Sequence, residues 1–219
     1  MLMKLRNSLF LFCLSMSAML SGCAEKTMII AHRGSSAIAP ENTLAAVCSA
    51  WRVNSDAVEV DVHLTADNRI AVIHDTDTQR VSNEKLVVSK STFEQISQLD
   101  VGSHKSWNYR DEKIPELKKV ISTIPESKKL FIEIKCSQKI LPHLKRLIKN
   151  SDKVSQLVLI SFNLDTLTQA KKQLPKIPAY WLVSPRKNEK TGKYLPYSSK
   201  LIIEAKSRNL DGLNANYGL

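Results

Sequence analysis

The chemistry in this 219-residue chain is concentrated first in one hexapeptide, Val58-Glu59-Val60-Asp61-Val62-His63. Successive side chains of a β-strand point to opposite faces, so Glu59, Asp61 and His63 share one face and the valines share the other. If helices cover the valine face, both carboxylates point inward. Two like charges there are costly without a cation, and paired carboxylate oxygens suit a hard ion such as Mg²⁺ or Ca²⁺. A solvent-facing edge strand would show the same alternation, so the hexapeptide alone leaves both readings open. The pentapeptide Phe131-Ile132-Glu133-Ile134-Lys135 shifts the balance. Glu133 and Lys135 again share a face, Glu133 as a third carboxylate and Lys135 as a holder of a phosphate oxygen. Isoleucines flank Glu133, and both charges fall near the strand's C-terminal end, where α/β barrels build their sites.

Two histidines stand at comparable places. His32 ends the run Met28–His32 and is followed by Arg33-Gly34; His74 ends Ile70–His74 and is followed by Asp75. An imidazole titrates near neutrality and is suited to donating and accepting protons. Arg33 offers a forked donor for phosphate, and Gly34 permits a close backbone approach. His63 faces inward but lies further along its strand and ranks third. His104, in a polar stretch, and His143, in a helical one, rank lower.

The elements that must position these residues alternate. Strand-like runs occur at Met28–His32, Ala57–Leu64, Ile70–His74, Leu130–Lys135, Leu157–Phe162 and Ala179–Val183, with a weaker one at Gly212–Asn216. Between them apolar residues recur at helical spacing: Leu44, Val47, Cys48 and Trp51, then Leu117, Val120, Ile121 and Ile124, then Leu164, Leu167, Ala170 and Leu174, and a shorter face of Leu201, Ile202 and Ala205. This alternation predicts a parallel sheet with helices outside. Residues 75–113 break the rhythm and read as a rim insertion after the third strand. Seven strands are one short of a closed (β/α)8 barrel. The expectation is one TIM-type domain over residues 28–219, lacking its eighth strand.

The N-terminus reads as an address. Lys4 and Arg6 precede an apolar run, Leu9–Leu20, and Leu20-Ser21-Gly22-Cys23 closes the segment. This three-part form is that of a secretory signal, and the run is short for a membrane span. Residues 1–22 are expected to be a lipoprotein signal peptide, Cys23 the lipidated residue and 23–27 an anchoring linker. The protein would then sit in the cell envelope, on the periplasmic face of an outer membrane where one exists. Of four cysteines, only Cys48 and Cys136 would remain in the domain, too few for a disulfide framework. The formal net charge of +11 fits phosphate-bearing substrates or anionic membranes. Its scatter over helices and loops argues against nucleic acid.

Taken in order, His32-Arg33-Gly34, Pro40-Glu41-Asn42-Thr43, Glu59-x-Asp61-Val62-x-Leu64-Thr65-x-Asp67, His74-Asp75, Ile114-Pro115-x-Leu117, Glu133-Ile134-Lys135 and Ser161-Phe162 resemble the signature of the glycerophosphodiester phosphodiesterase family. The resemblance implies a TIM-type barrel and a divalent cation held by Glu59, Asp61 and Glu133. It implies acid–base work by His32 and His74, phosphate contacts from Arg33 and Lys135, and support from Glu41 and Asn42. The reaction would convert a glycerophosphodiester to glycerol 3-phosphate and an alcohol such as choline or ethanolamine. Alternatives are a phospholipase D-like barrel acting on lysophospholipid or sphingomyelin, and an inactive, truncated phosphodiester-binding relative. Asn68 stands where the family usually has glycine and Glu116 where it usually has threonine; a last strand bordering the site is expected to be missing.

Overall fold

A computed structural model describes residues 27–215. The expected signal peptide, Cys23, most of the 23–27 linker and Asn216 of the weak last strand lie outside the described residues. The strands are β1 (Ile30–Ala31), β2 (Ala57–Leu64), β3 (Ile70–Val72), β4 (Lys129–Ile134), β5 (Leu157–Ser161), β6 (Ala179–Val183) and β7 (Gly212–Ala215). They form one sheet in the order β1-β2-β4-β5-β6-β7, every neighbouring pair parallel, with β3 branching from β2. Among the described residues six α-helices accompany them: α1 (Leu44–Arg52), α2 (Phe93–Ser97), α3 (Leu117–Ser122), α4 (Leu141–Lys149), α5 (Leu164–Gln173) and α6 (Lys200–Ser207). The architecture is a curled, TIM-like parallel half-barrel.

β3 corrects the expectation of an all-parallel sheet. It runs antiparallel to β2, with Val62 opposite Val72 and Leu64 opposite Ile70. Five residues, Thr65–Arg69, separate the two strands, whereas a parallel crossover needs a dozen or more. The connection is therefore a hairpin, and Asn68 takes its left-handed position at φ 64°, which asparagine tolerates.

The alternation read in β2 is realised. Val58, Val60 and Val62 join Ile132, Ile134, Leu157 and Leu159 in a core closed by Val47 and Ala50 of α1, Leu144 and Ile148 of α4 and Leu167 and Ala170 of α5. Each fully buried aliphatic side chain contributes about 2 kcal/mol by leaving water. The helices begin where sequence dictates: Thr43 accepts the Ala46 N–H and Asn163 that of Thr166, satisfying groups a helix start leaves open. Residues 75–113 build a smaller core against β3 and the residue after it, with Ala71, Ile73, Val81, Val88, Phe93, Ile96 and Val101 packed together. Among the described residues no helix is long and apolar enough to cross a membrane.

Candidate active site

β2 and β4 are in register with Asp61 beside Glu133, and this neighbour relation builds the acidic cluster. One carboxylate oxygen from each of Glu59, Asp61 and Glu133 lies within 4.8 Å of the others, and all three residues are buried. Asp61 is fully buried. The Asn42 amide grips it from two sides: Nδ2 donates to Asp61 Oδ2 at 2.8 Å, and Oδ1 accepts the Asp61 N–H at 3.1 Å. Glu59 Oε2 accepts the Arg33 N–H at 3.0 Å. Glu59 Oε1 and Asp61 Oδ1 are buried without a hydrogen-bond partner.

Burial first, and the charge of Asp61 next, push the Glu59 carboxyl up to about 8. Burial also raises Glu133, with Asp61 adding to the shift and the Lys135 hydrogen bond opposing it. Lys135 Nζ lies 3.0 Å from Glu133 Oε1 and 3.7 Å from Asp61 Oδ1. Arg33, whose Nε lies 3.2 Å from Asp61 Oδ2, also serves Glu41, so the three carboxylates face two cations of which one is shared. Orphaned buried oxygens in an all-carboxylate donor set fit a hard divalent cation.

The histidines flank this cluster in different ways. His74 projects Nδ1 to Asp75 Oδ1 at 2.6 Å and Nε2 to Lys135 Nζ at 3.2 Å. His32 Nε2 lies 3.9 Å from Glu59 Oε2 on a side chain that is 67% exposed, and its pKa is lowered by partial burial and then by the Arg33 charge. His63 directs Nε2 to the His74 carbonyl oxygen at 3.1 Å. It buttresses the backbone that carries His74, and burial lowers its pKa.

Arg33 reaches Glu41 Oε1 with Nη1 at 3.0 Å and approaches Asp61 Oδ2 with Nε at 3.2 Å, unaligned for a hydrogen bond. It holds a positive φ of 55°, so the chain turns sharply just after His32. Sequence reasoning missed Arg80. Its Nε donates to Asp75 Oδ2 at 2.6 Å, and its Nη2 and Nη1 donate to the two oxygens of Glu41 at 2.7 and 3.0 Å. Arg80 thus ties the His74 side of the site to the Arg33 side. Burial works to raise Glu41, but the hydrogen bond from Arg80 and the charge of Arg33 hold it below the usual carboxylate range. Phe162, just past β5, faces Lys135, whose Nζ is 6.0 Å from the ring centre. A separate cleft of about 380 Å³, lined by Arg69, Lys118, His143 and Arg146, contains none of these residues.

Two histidines beside a buried carboxylate cluster, on a curled and largely parallel sheet, define a TIM-like α/β protein whose acidic cluster could hold a cation. The glycerophosphoryl diester phosphodiesterase family model matches residues 32–212, and the chain belongs to that family. It is 36% identical over 157 residues to a glycerophosphodiester phosphodiesterase of Caldanaerobacter subterraneus, covering 69% of this chain and 65% of that one. It is 30% identical over 201 residues to a probable glycerophosphodiester phosphodiesterase 1 of Mycobacterium tuberculosis, covering 83% and 71%. An Oleispira antarctica phosphodiesterase, solved in complex with the product sn-glycerol-3-phosphate, matches with a TM-score of 0.69 and 25% identity over 86% of this chain and 92% of that one. The chain thus spans just under two thirds of the Caldanaerobacter relative, and 44% of a Bacillus subtilis one named as a putative glycerophosphodiester phosphodiesterase.

Proposed function

We propose that this chain hydrolyses glycerophosphodiesters to glycerol 3-phosphate and an alcohol, with His32 and His74 as the acid–base pair. Glu59, Asp61 and Glu133 would hold a Mg²⁺ or Ca²⁺ ion. The observation that carries this reading is the pair of orphaned oxygens, Glu59 Oε1 and Asp61 Oδ1, buried in a three-carboxylate cluster. A bound divalent ion there supplies Lewis-acid stabilisation of charge on the phosphoryl oxygens.

The chain's own groups do the rest. Arg33 and Lys135 offer their cationic side chains to the non-bridging phosphate oxygens. Asp75 only accepts, so the His74 proton resides on Nδ1 and the Nε2 lone pair faces Lys135 Nζ, 3.2 Å away in the site. One histidine removes the proton from the attacking hydroxyl as the new P–O bond forms. The other protonates the departing alcohol as the old P–O bond breaks. Attack by water gives glycerol 3-phosphate directly. Attack by the substrate's glycerol hydroxyl gives a cyclic phosphate, which water opens to glycerol 3-phosphate in a second step. Burial and the Arg33 charge lower the His32 pKa and so favour its neutral form, and His63 holds the His74 backbone in place.

The test is glycerol 3-phosphate release from glycerophosphocholine by the full chain, with Mg²⁺ or Ca²⁺ and again with excess chelator. Cation-dependent release is expected. A folded sample that leaves glycerophosphocholine intact but cleaves a lysophospholipid would overturn the substrate assignment. A lipid anchor on Cys23, after removal of residues 1–22, would put the enzyme at the cell-envelope membrane. Labelled fatty acid should be incorporated into the wild-type protein and not into Cys23→Ala.

A further inference from the structure

The segments that follow β1, β5 and β6 leave the C-terminal ends of parallel strands and share one end of the sheet. The insertion leaves the antiparallel β3 and reaches that end through its tie to the β1–α1 loop. That end exposes several large apolar side chains. Trp107 is 71% exposed, Phe162 49%, Tyr194 46% and Leu195 44%. They come from three separate stretches of chain. Trp107 lies in the insertion, tied to the β1–α1 loop by Lys105 Nζ donating to the Ser36 carbonyl oxygen at 2.9 Å. Phe162 directly follows β5. Tyr194 and Leu195 lie on a small hairpin after β6, where Lys187 bridges Tyr194 antiparallel. Tyr197 Oη donates to the Val183 carbonyl oxygen at 3.2 Å, which folds this hairpin back over the end of β6.

The charge around these side chains has one dominant sign. The hairpin carries Arg186, Lys187, Lys190 and Lys193, all exposed, against a single acid, Glu189. Lys187 Nζ sits 4.8 Å from the Tyr194 ring centre, and the Arg110 guanidinium 5.4 Å from that of Trp107. Aromatic rings with a polar edge, interleaved with lysines, match the headgroup zone of a bilayer. Clustered lysines are attracted to anionic lipid by about 1 kcal/mol each. An acidic protein surface would use the charges but leave the exposed rings unaccounted for.

We propose that this end of the barrel docks on anionic phospholipid bilayers through the 186–197 hairpin and Trp107, turning the mouth of the site toward the membrane. The docking needs no lipid on the N-terminus and adds a second, reversible contact to any anchor there. It builds on the assigned position of the site, while vesicle binding is read separately from turnover.

The experiment is hydrogen exchange on the full chain with phosphatidylcholine vesicles, with and without phosphatidylglycerol. Backbone amides of 186–197 should gain protection with the anionic vesicles, and lose it at high salt or with phosphatidylcholine alone. The variant Lys187→Glu/Lys190→Glu/Lys193→Glu should bind anionic vesicles at least about tenfold more weakly while cleaving soluble glycerophosphocholine like wild type. Tyr194→Ser/Leu195→Ser should weaken binding without changing its salt dependence. Vesicle binding that leaves 186–197 unprotected, or equal protection on uncharged vesicles, would overturn the proposal. Loss of glycerophosphocholine cleavage in the wild type would instead count against the proposed reaction alone.

Discussion

His74 Nδ1 lies 2.6 Å from the carboxylate of its own neighbour in sequence, Asp75. Arg80 holds that carboxylate from its other side, and these hydrogen bonds outweigh burial and lower the Asp75 pKa. The pair therefore fixes the His74 tautomer and ring plane together, as an orienting carboxylate does for a working imidazole. Asp75→Ala should lower kcat about ten- to a hundredfold, a part of what acid–base catalysis supplies, with KM little changed. Arg80→Ala should act in the same direction and more weakly, since Asp75 keeps its contact with His74. Steady-state kinetics on glycerophosphocholine checks both; a wild-type kcat in Asp75→Ala would remove Asp75 from the mechanism.

The raised pKa of Glu59 has a consequence for cation binding. An isolated glutamate titrates near 4.5, and Glu59 in the fold near 8. Between these values the folded, cation-free protein binds more protons than the unfolded chain, so its stability falls as pH rises through this window. A divalent ion takes the place of the proton, and its binding becomes tighter as the pH climbs toward 8. At fixed Mg²⁺ or Ca²⁺ concentration, the increase in Tm over a chelated sample should grow with pH across the window. Glu59→Gln should flatten that growth. A cation shift independent of pH would show that Glu59 is not the group displaced.

Much of the carboxylate site was legible because strand periodicity is a local rule. Once Val58, Val60 and Val62 are placed against helices, Glu59 and Asp61 have one direction left to point, and Glu133 follows from the same rule in β4. Two things were not legible. Arg80 lies in a polar stretch with no periodicity, and only the folding of that stretch over the rim brings its guanidinium to Asp75 and Glu41. β3 was read as a parallel strand because its apolar content is right. The signal against it was present in the five-residue spacing between Leu64 and Ile70, which only a hairpin can bridge. The close approach expected of Gly34 is real, but its partner is the backbone of α1.

Asn42 completes a strand that its neighbour leaves short. β1 pairs with β2 only through Ile30–Ala57 and Ala31–Val58, so the next backbone donor along that edge, the Asp61 N–H, finds the Asn42 side chain instead. Asn42 also sits at φ 59°, a left-handed conformation that asparagine accepts and alanine resists. Asn42→Ala should destabilise the fold by about 2–4 kcal/mol, for a buried donor left unpaired and the added backbone strain. Cation affinity should fall as Asp61 loses its orienting partner, by about ten- to a hundredfold. Chemical denaturation and calorimetric Mg²⁺ or Ca²⁺ titration measure the two effects separately. Unchanged cation affinity in a destabilised variant would confine Asn42 to holding the strand.

Gly34 is the residue whose replacement tests how the His32-Arg33 corner is built. It sits at φ 77°, and a Cβ there would lie 2.5 Å from the Ala46 carbonyl carbon and 2.7 Å from its oxygen. Those atoms belong to α1, whose start is fixed by the Thr43 cap and whose Val47 and Ala50 are locked in the main core, so the helix cannot retreat cheaply. The Ser35 N–H, donating to the Ala46 carbonyl oxygen at 2.9 Å, is lost if the loop moves instead. Gly34→Ala should cost about 2–5 kcal/mol in strain and overpacking. Because His32 and Arg33 immediately precede the displaced turn, activity of whatever remains folded should fall further than stability alone dictates. Thermal melts paired with kinetics on the folded fraction distinguish the outcomes. Normal turnover per folded molecule would mean that the corner tolerates displacement and that Gly34 serves packing only.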